Sequence, residues 1–287
     1  MHGAVAFIGF GEAGMALACP GARAYDRKTD DPATCAAKRA DYLAAGVTGC
    51  TSAAEAISGA GTILSLVTAD QSLAAALNAA PSLASGAFWL DLNSVAPDTK
   101  RATARVIEAV GGRYVDVAVM TPVQPRRHRV PLLVSGPHVE AAAATLRSIG
   151  FRDVRRVSAA IGGASAIKMI RSIMVKGIEA LTAECMLAAE AADVRDEVLA
   201  SLDAGEESKP WTERVDYNLD RMLVHGLRRA AEMEEVVTML DALGTGSAMS
   251  RGTVERQRAL GSLGGASPQG LDAKLAALTA LKQEKAA

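Results

Sequence analysis

The stretch AVAFIGFGEAG, Ala4 to Gly14, sets three glycines at G-x-G-x-x-G spacing directly after a run of apolar, β-prone residues. That order demands a strand, a tight turn and a helix in succession. Gly9 permits the turn, Gly11 lets backbone come close to a pyrophosphate, and Gly14 lets helix and strand pack together, while free N–H groups at the helix start face the phosphate. As a bare string it is a glycine-rich turn; after an opening strand it reads as a dinucleotide-binding loop. Glu12 and Ala13 belong to the same candidate cofactor segment. The acid expected on the adenosine ribose is Asp26, at the end of ARAYD (Ala22 to Asp26). It comes only 12 residues after Gly14, so the first helix is expected to be short, ending near Cys19-Pro20. Arg27 and Lys28 follow at once. A carboxylate repels a 2′-phosphate and two cations attract one, so the cofactor reads as NAD or NADP, with simple solvation as the other role for the cations.

Short β-like runs and helical segments alternate through the first half. TILSLV (Thr62 to Val67), AFWLDL (Ala87 to Leu92), RYVDVAV (Arg113 to Val119) and PLLVSG (Pro131 to Gly136) read as further strands, and Pro32 to Ala45 reads as a helix. After Gly162 the strand signal stops. Ala164 to about Leu199, Trp211 to Leu243, Ser247 to Leu260 and Leu271 to Lys285 carry helical spacing, with GEESKP (Gly205 to Pro210) and GTG (Gly244 to Gly246) as loops. The expected fold is α/β: a Rossmann-type doubly wound sheet over 1–161, then an all-α domain over 162–287, with the long first helix as the hinge.

Composition narrows the function classes. With 287 residues, 49% of them hydrophobic, the chain can bury sizeable cores; a formal charge of -1 and a pI near 6.5 give no overall field for nucleic acid or an anionic membrane. No apolar run reaches the roughly 20 residues of a membrane span. Cys19, Cys35, Cys50 and Cys185 show no C-x-x-C pairing and no run looks like a secretion signal, so the cytoplasm is the expected compartment. Met169, Met174, Met186, Met222, Met233 and Met239 follow helical spacing as packing residues, and no cluster of His, Cys and carboxylate has metal spacing.

Within GGASAIKMIRS (Gly162 to Ser172) a single lysine stands in a run that otherwise reads as a buried helix. Lys168 either snorkels to water or is paired or used. Four-residue spacing puts Lys168 and Ser172 on one helix face. Taken in order, GFGEAG, DLNSVAP (Asp91 to Pro97), VDVAVMTP (Val115 to Pro122) and GGASAIKMIRS resemble the β-hydroxyacid dehydrogenase family, which includes 3-hydroxyisobutyrate and 6-phosphogluconate dehydrogenases. The likeness spans essentially the whole chain, and RMLVHGLRRAAEM (Arg221 to Met233) is similar to the helical C-terminal domain of a bacterial 6-phosphogluconate-dehydrogenase-like branch.

The resemblance implies an NAD(P) domain joined to a helical one, an active site in the cleft between them, and a homodimer. It implies that Lys168 is the proton-transfer group, since oxidising an alcohol takes hydride from carbon and a proton from oxygen, and a lysine in a dry cleft can be tuned for that task. Ser172 stands where the family has asparagine, with shorter reach, and Arg171 is either an anion clamp or a surface partner. Val67 and Thr68 are candidates for the nicotinamide ribose pocket. Asn93 and Ser94 are candidates for the carboxamide or the substrate, unless Ser94 merely caps the helix at Pro97. Where many members have Ser-Gly-Gly, this chain has Met120, Thr121 and Pro122, and Pro122 has no N–H to give a substrate carboxylate. Arg126, with Arg127, His128 and Arg129, could supply cations instead. His225 and Arg229 are candidate substrate contacts from the helical half; the plainer reading is an Arg228–Glu232 pair. The leading expectation is hydroxyl–carbonyl interconversion on a small anionic substrate such as a 3-hydroxy acid. An imine reductase and a non-catalytic dinucleotide-binding protein are the alternatives.

Overall fold

The computed structural model describes residues 4–191, 193–204, 210–243, 247–264 and 267–284, to which the observations below refer. The chain divides into two compact units, Met1–Met169 and Ile170–Ala287. The first alternates β1 (Ala4–Ile8), α1 (Glu12–Ala16), β2 (Arg23–Tyr25), α2 (Pro32–Ala45), β3 (Thr48–Gly49), α3 (Ala53–Ile57), β4 (Ala60–Ser65), α4 (Ser72–Ala79), β5 (Phe88–Asp91), α5 (Pro97–Ala109), β6 (Arg113–Val119), β7 (Leu132–Ser135), α6 (Val139–Ser148) and β8 (Val154–Ser158). Local chemistry sets the ends. In α2 the Asp31 side chain accepts from Ala33 N, Pro32 opens the helix, and Gly46 at φ 67° closes it.

The strands form one sheet in the order β3-β2-β1-β4-β5-β6-β7-β8, parallel except where β7 runs against β6. Alternate side chains feed two cores. Phe7, Leu64, Leu90, Val115 and Val117 point to the face shared with Leu146 and Phe151, whereas Ala6, Ile63, Trp89 and Tyr114 point to the face shared with Ile57 and Ile107. One row of register partners crosses the sheet: Ile8, Ser65, Asp91, Asp116, Ser135 and Ser158. β1, β4 and β5 all end on that row, so the loops that follow them share one edge. Chain direction across the sheet reverses between β1 and β4, the switch point at which such sheets bind ligands.

Two strands were not legible in the sequence. β3 is only two residues long, and β8 (VRRVS) carries exposed arginines because it is an edge strand.

The helical part comprises α7 (Gly163–Ala191), α8 (Arg195–Asp203), α9 (Trp211–Leu243), α10 (Ala248–Gly261) and α11 (Leu271–Glu284). The division between units falls inside α7 rather than ahead of it at 161/162. The reason is local: Ala164 N donates to Ser135 Oγ at 2.9 Å, which ties the first turn to the sheet. The helix expected to run to Leu199 breaks after Ala191, where Asp193 takes a left-handed φ of 56° and Val194 N reaches back to Ala189 O. Residues 205–209 and 244–246, which cover most of the expected loops, lie outside the described residues. Met186, Leu199, Val215, Leu219, Met222, Leu260 and Leu275 form the core of the second unit. α9 and α10 meet at Gly226 and Gly261 so closely that a Cβ on Gly226 would lie 2.3 Å from Gln257 O. Met169, Met233 and Met239 are also buried, but Met174 is 64% exposed and is not a packing residue. Among the described residues no helix is long and apolar enough to cross a membrane.

Candidate active site

The glycine loop leaves β1 beside the switch point. Gly9 sits at φ 84°, and a Cβ there would meet Leu66 O at 2.5 Å, so only glycine makes the turn. A Cβ on Gly14 would press on the Phe10 ring at 3.0 Å. Gly11 differs: nothing lies within 4 Å of its Cβ position, which leaves open room for a ligand to approach the backbone. Those three environments fit the three demands of a dinucleotide pyrophosphate. Because α1 is only five residues long, with exposed Glu12 and half-buried Ala13 in its first turn, its dipole adds little, and the loop N–H groups carry the fit. Gly11→Ala is therefore expected to leave thermal stability unchanged and to weaken NAD(P)H binding by about tenfold or more, read by fluorescence titration.

The loop is braced from below. Gly9 N donates to Tyr25 O, Phe10 N to Asp26 Oδ2 at 2.8 Å, and the buried Lys38 donates to Phe10 O at 2.8 Å while pairing with Asp41. Asp26 also accepts from Lys28 N. The predicted ribose acid thus has a structural task as well, holding the loop and the start of the next turn. Arg27 reaches Gln71 Oε1 at 2.6 Å and Lys28 is exposed.

Beyond β5 the structure separates two residues the sequence had paired. Asn93 is turned inward: its amide donates to Ser65 Oγ and Ser72 Oγ and its Oδ1 accepts from Val67 N at 2.7 Å. Both donors are spent, so Asn93 fixes the loops after β4 and β5 to each other. Val67 is held by that bond, and Thr68 is exposed at the head of the following turn. Ser94 does not cap a helix, since Ala96 is the N-cap of α5 and no side chain bonds there. Its Oγ instead accepts a hydrogen bond from Lys168 Nζ. Lys168, in the first turns of α7, therefore meets the edge of the sheet on which the glycine loop also lies.

The segment after β6 overturns one expectation. Met120 packs near Ala164, and Thr121 Oγ1 is buried with no partner among the described residues. Past exposed Pro122, Val123 and Val130 join the core on the α6 face, and the His128 ring packs at a tilt against Phe151, centroids 4.9 Å apart. Burial, then the neighbouring Arg127, holds the His128 imidazole below the usual histidine range. Arg127 Nε donates to Ala16 O at the end of α1. Arg126 and Arg129 line a basic depression there with Arg152. The apolar anchors carry these arginines to the sheet face opposite Tyr114 and Ile107, away from the start of α7, so Arg126 is not assembled with Lys168.

In the second unit, Ser172 stands one turn beyond Lys168 on α7, beside exposed Arg171, and His225 is half-buried on α9. Arg229 is a correction. Its guanidinium is buried and pairs with Glu179, which also accepts from Gln257 Nε2 at 2.9 Å, so it is not available to a substrate. Burial drives the Glu179 carboxyl above its ordinary range and the Arg229 guanidinium below its own. Arg228 pairs with Glu232 as the spacing predicts.

Comparison with known proteins bears on this arrangement. The family described as the NAD binding domain of 6-phosphogluconate dehydrogenase matches residues 4–158, and a domain of unknown function, DUF1932, matches residues 189–260. The chain belongs to the β-hydroxyacid dehydrogenase family. A conserved hypothetical protein from Sinorhizobium meliloti 1021 is 36% identical, with 97% of this chain and 96% of that chain covered and a TM-score of 0.72. A second solved protein of unknown function, whose structure reveals similarity with 3-hydroxyacid dehydrogenases, is 29% identical over 90% of this chain and 98% of that chain, TM-score 0.65. The Mycobacterium tuberculosis 3-hydroxyisobutyrate dehydrogenase, solved with L-serine, shares the fold at 16% identity over 98% of this chain and 99% of that chain, TM-score 0.73. No protein of curated function matches the sequence. As a member of this dehydrogenase family, with a glycine loop that fits the group, the protein takes NAD or NADP as its cofactor.

Proposed function

We propose that the protein is an NAD(P)-dependent oxidoreductase that interconverts a hydroxyl and a carbonyl on a small anionic substrate, a 3-hydroxy acid, with Lys168 as the proton carrier. The observation that carries this reading is the Lys168–Ser94 hydrogen bond on the sheet edge that also bears the glycine loop. The nicotinamide, when bound, supplies the hydride acceptor or donor. Lys168 then takes the hydroxyl proton as the alcohol is oxidised, and returns it in the reverse direction. Ser94 fixes the amine and can pass a hydrogen bond to the substrate oxygen. Thr121 Oγ1, buried and without a partner among the described residues, is a second polar group for the substrate. The substrate class is supported by the likeness to 3-hydroxyacid dehydrogenases and by L-serine, itself a 3-hydroxy acid, in the M. tuberculosis relative. A panel of 3-hydroxy acids with NAD and NADP, and of 3-oxo acids with the reduced forms, tests it. Turnover of at least one pair is expected; turnover confined to cyclic imines would overturn it.

The active form is proposed to be a homodimer. Ile167, Ile170, Met174, Ile178 and Leu181 recur at helical spacing along α7, and all are 41% exposed or more. An apolar stripe of that length marks a protein interface. Met174→Glu should convert the dimer to monomer in sedimentation velocity; an unchanged dimer would place the interface elsewhere.

A further inference from the structure

Both partners of the Lys168–Ser94 hydrogen bond hang from one buried charge group. Lys100, on the inward face of α5, has no exposed surface, nor have Asp91 on β5 and Asp116 on β6. Lys100 Nζ donates to Asp91 O at 2.7 Å and Asp91 Oδ1 at 2.9 Å, and lies 3.4 Å from Asp116 Oδ1. The two aspartates are register partners on adjacent strands. A buried cation between two carboxylates joins the adjacent strands and α5 into one polar cluster.

Each carboxylate organises one half of the candidate site. Asp91 Oδ1 accepts from Asn93 N at 3.0 Å, the residue before Ser94, and its Oδ2 accepts from Tyr114 Oη at 2.8 Å. Asp116 Oδ1 accepts from Ser165 Oγ at 2.6 Å, and its Oδ2 accepts from Ser165 N at 3.0 Å and Ser135 Oγ at 2.9 Å. Ser165 precedes Lys168 by three residues, which places it on the same side of the first turns of α7. One arm thus sets the loop that presents Ser94, and the other sets the helix that presents Lys168.

We propose that Asp91, Lys100 and Asp116 act as a positioning triad that fixes Lys168 against Ser94, a role that rests on the reading of Lys168 as proton carrier. Lys100 donates to Asp91 and lies against Asp116, and both aspartates accept in the bonds of the two arms, so one buried cation ties the arms together. A core made of apolar residues would hold the same strands together without dictating where the first turn of α7 stops.

The experiment is competitive acetylation of the full-length protein with acetic anhydride, comparing Lys168 with exposed Lys28 by peptide mass spectrometry. It needs no substrate. In Ser165→Ala the Lys168/Lys28 labelling ratio is expected to rise about fivefold, as one net hydrogen bond implies. Ser165→Thr, which keeps the hydroxyl and the N–H, should restore it, and Lys100→Met should raise it at least as far. Loss of stability alone would not move that ratio in folded protein. An unchanged ratio in folded Ser165→Ala overturns the proposal, whether or not Lys100→Met folds. A raised ratio with unaltered turnover, measured on a substrate from the panel, leaves the triad standing and removes Lys168 from the mechanism.

Discussion

Lys168→Ala is expected to lower kcat by about 10²–10⁴-fold, the range that a positioned general acid–base group supplies. NAD(P)H affinity should be unchanged, because the glycine loop, Asp26 and Lys38 form their own braced assembly on the β1 side. The loss should fall on kcat and kcat/KM together, since proton transfer is an interaction of the transition state. Stability should hardly move: Lys168 is half-buried and its bond to Ser94 Oγ is replaceable by water. Arginine at the position should fail to rescue, because a guanidinium does not give up its proton in the working range. Stopped-flow measurement of nicotinamide absorbance separates the outcomes. Undiminished turnover in Lys168→Ala would remove the lysine from the chemistry.

The second large effect is on folding. Arg229→Ala removes the cation from Glu179 inside the helical unit, leaving the carboxylate with the hydrogen bond from the Gln257 amide. Breaking a buried pair on one side costs about 3–5 kcal/mol. The cost carries a pH signature. Burial already lifts the Glu179 carboxyl, and losing the guanidinium lifts it further. The folded variant then binds a proton that the unfolded chain releases at the ordinary glutamate value, so its stability falls as pH rises above about 4.5 and recovers as pH is lowered toward that value. Urea unfolding at several pH values measures this. Glu179→Gln with Arg229→Met should regain most of the loss, since a neutral packed pair replaces a broken charged one. Turnover per folded molecule should remain that of the parent; a raised KM would return Arg229 to the substrate.

What the sequence made legible follows from which constraints are local. The glycine spacing, the caps at Asp31 and Gly46 and the apolar runs of β1, β4 and β6 act within a few residues, so strand–turn–helix order and α2 could be read directly. Lys168 stood out as a candidate because a cation interrupts an apolar helix. Lys100 gave the same signal, since it shares the face of α5 with Thr103, Ala104 and Ile107, yet its partners Asp91 and Asp116 lie on strands whose adjacency is a tertiary fact. Arg126 was misplaced for the complementary reason: a run of arginines advertises anion binding, whereas its route was decided by two valines nearby that bury on the other face. Asn93 turns inward because an amide's partners, not its place at a strand end, decide its direction.

The glycine-to-glycine crossing of α9 and α10 sets how this protein can be recombined. Two backbones that touch at Gly226 and Gly261 leave no space for a side chain from either helix. Chimeras between relatives must therefore inherit both helices from the same parent, and a splice between them would bring together surfaces shaped for different neighbours.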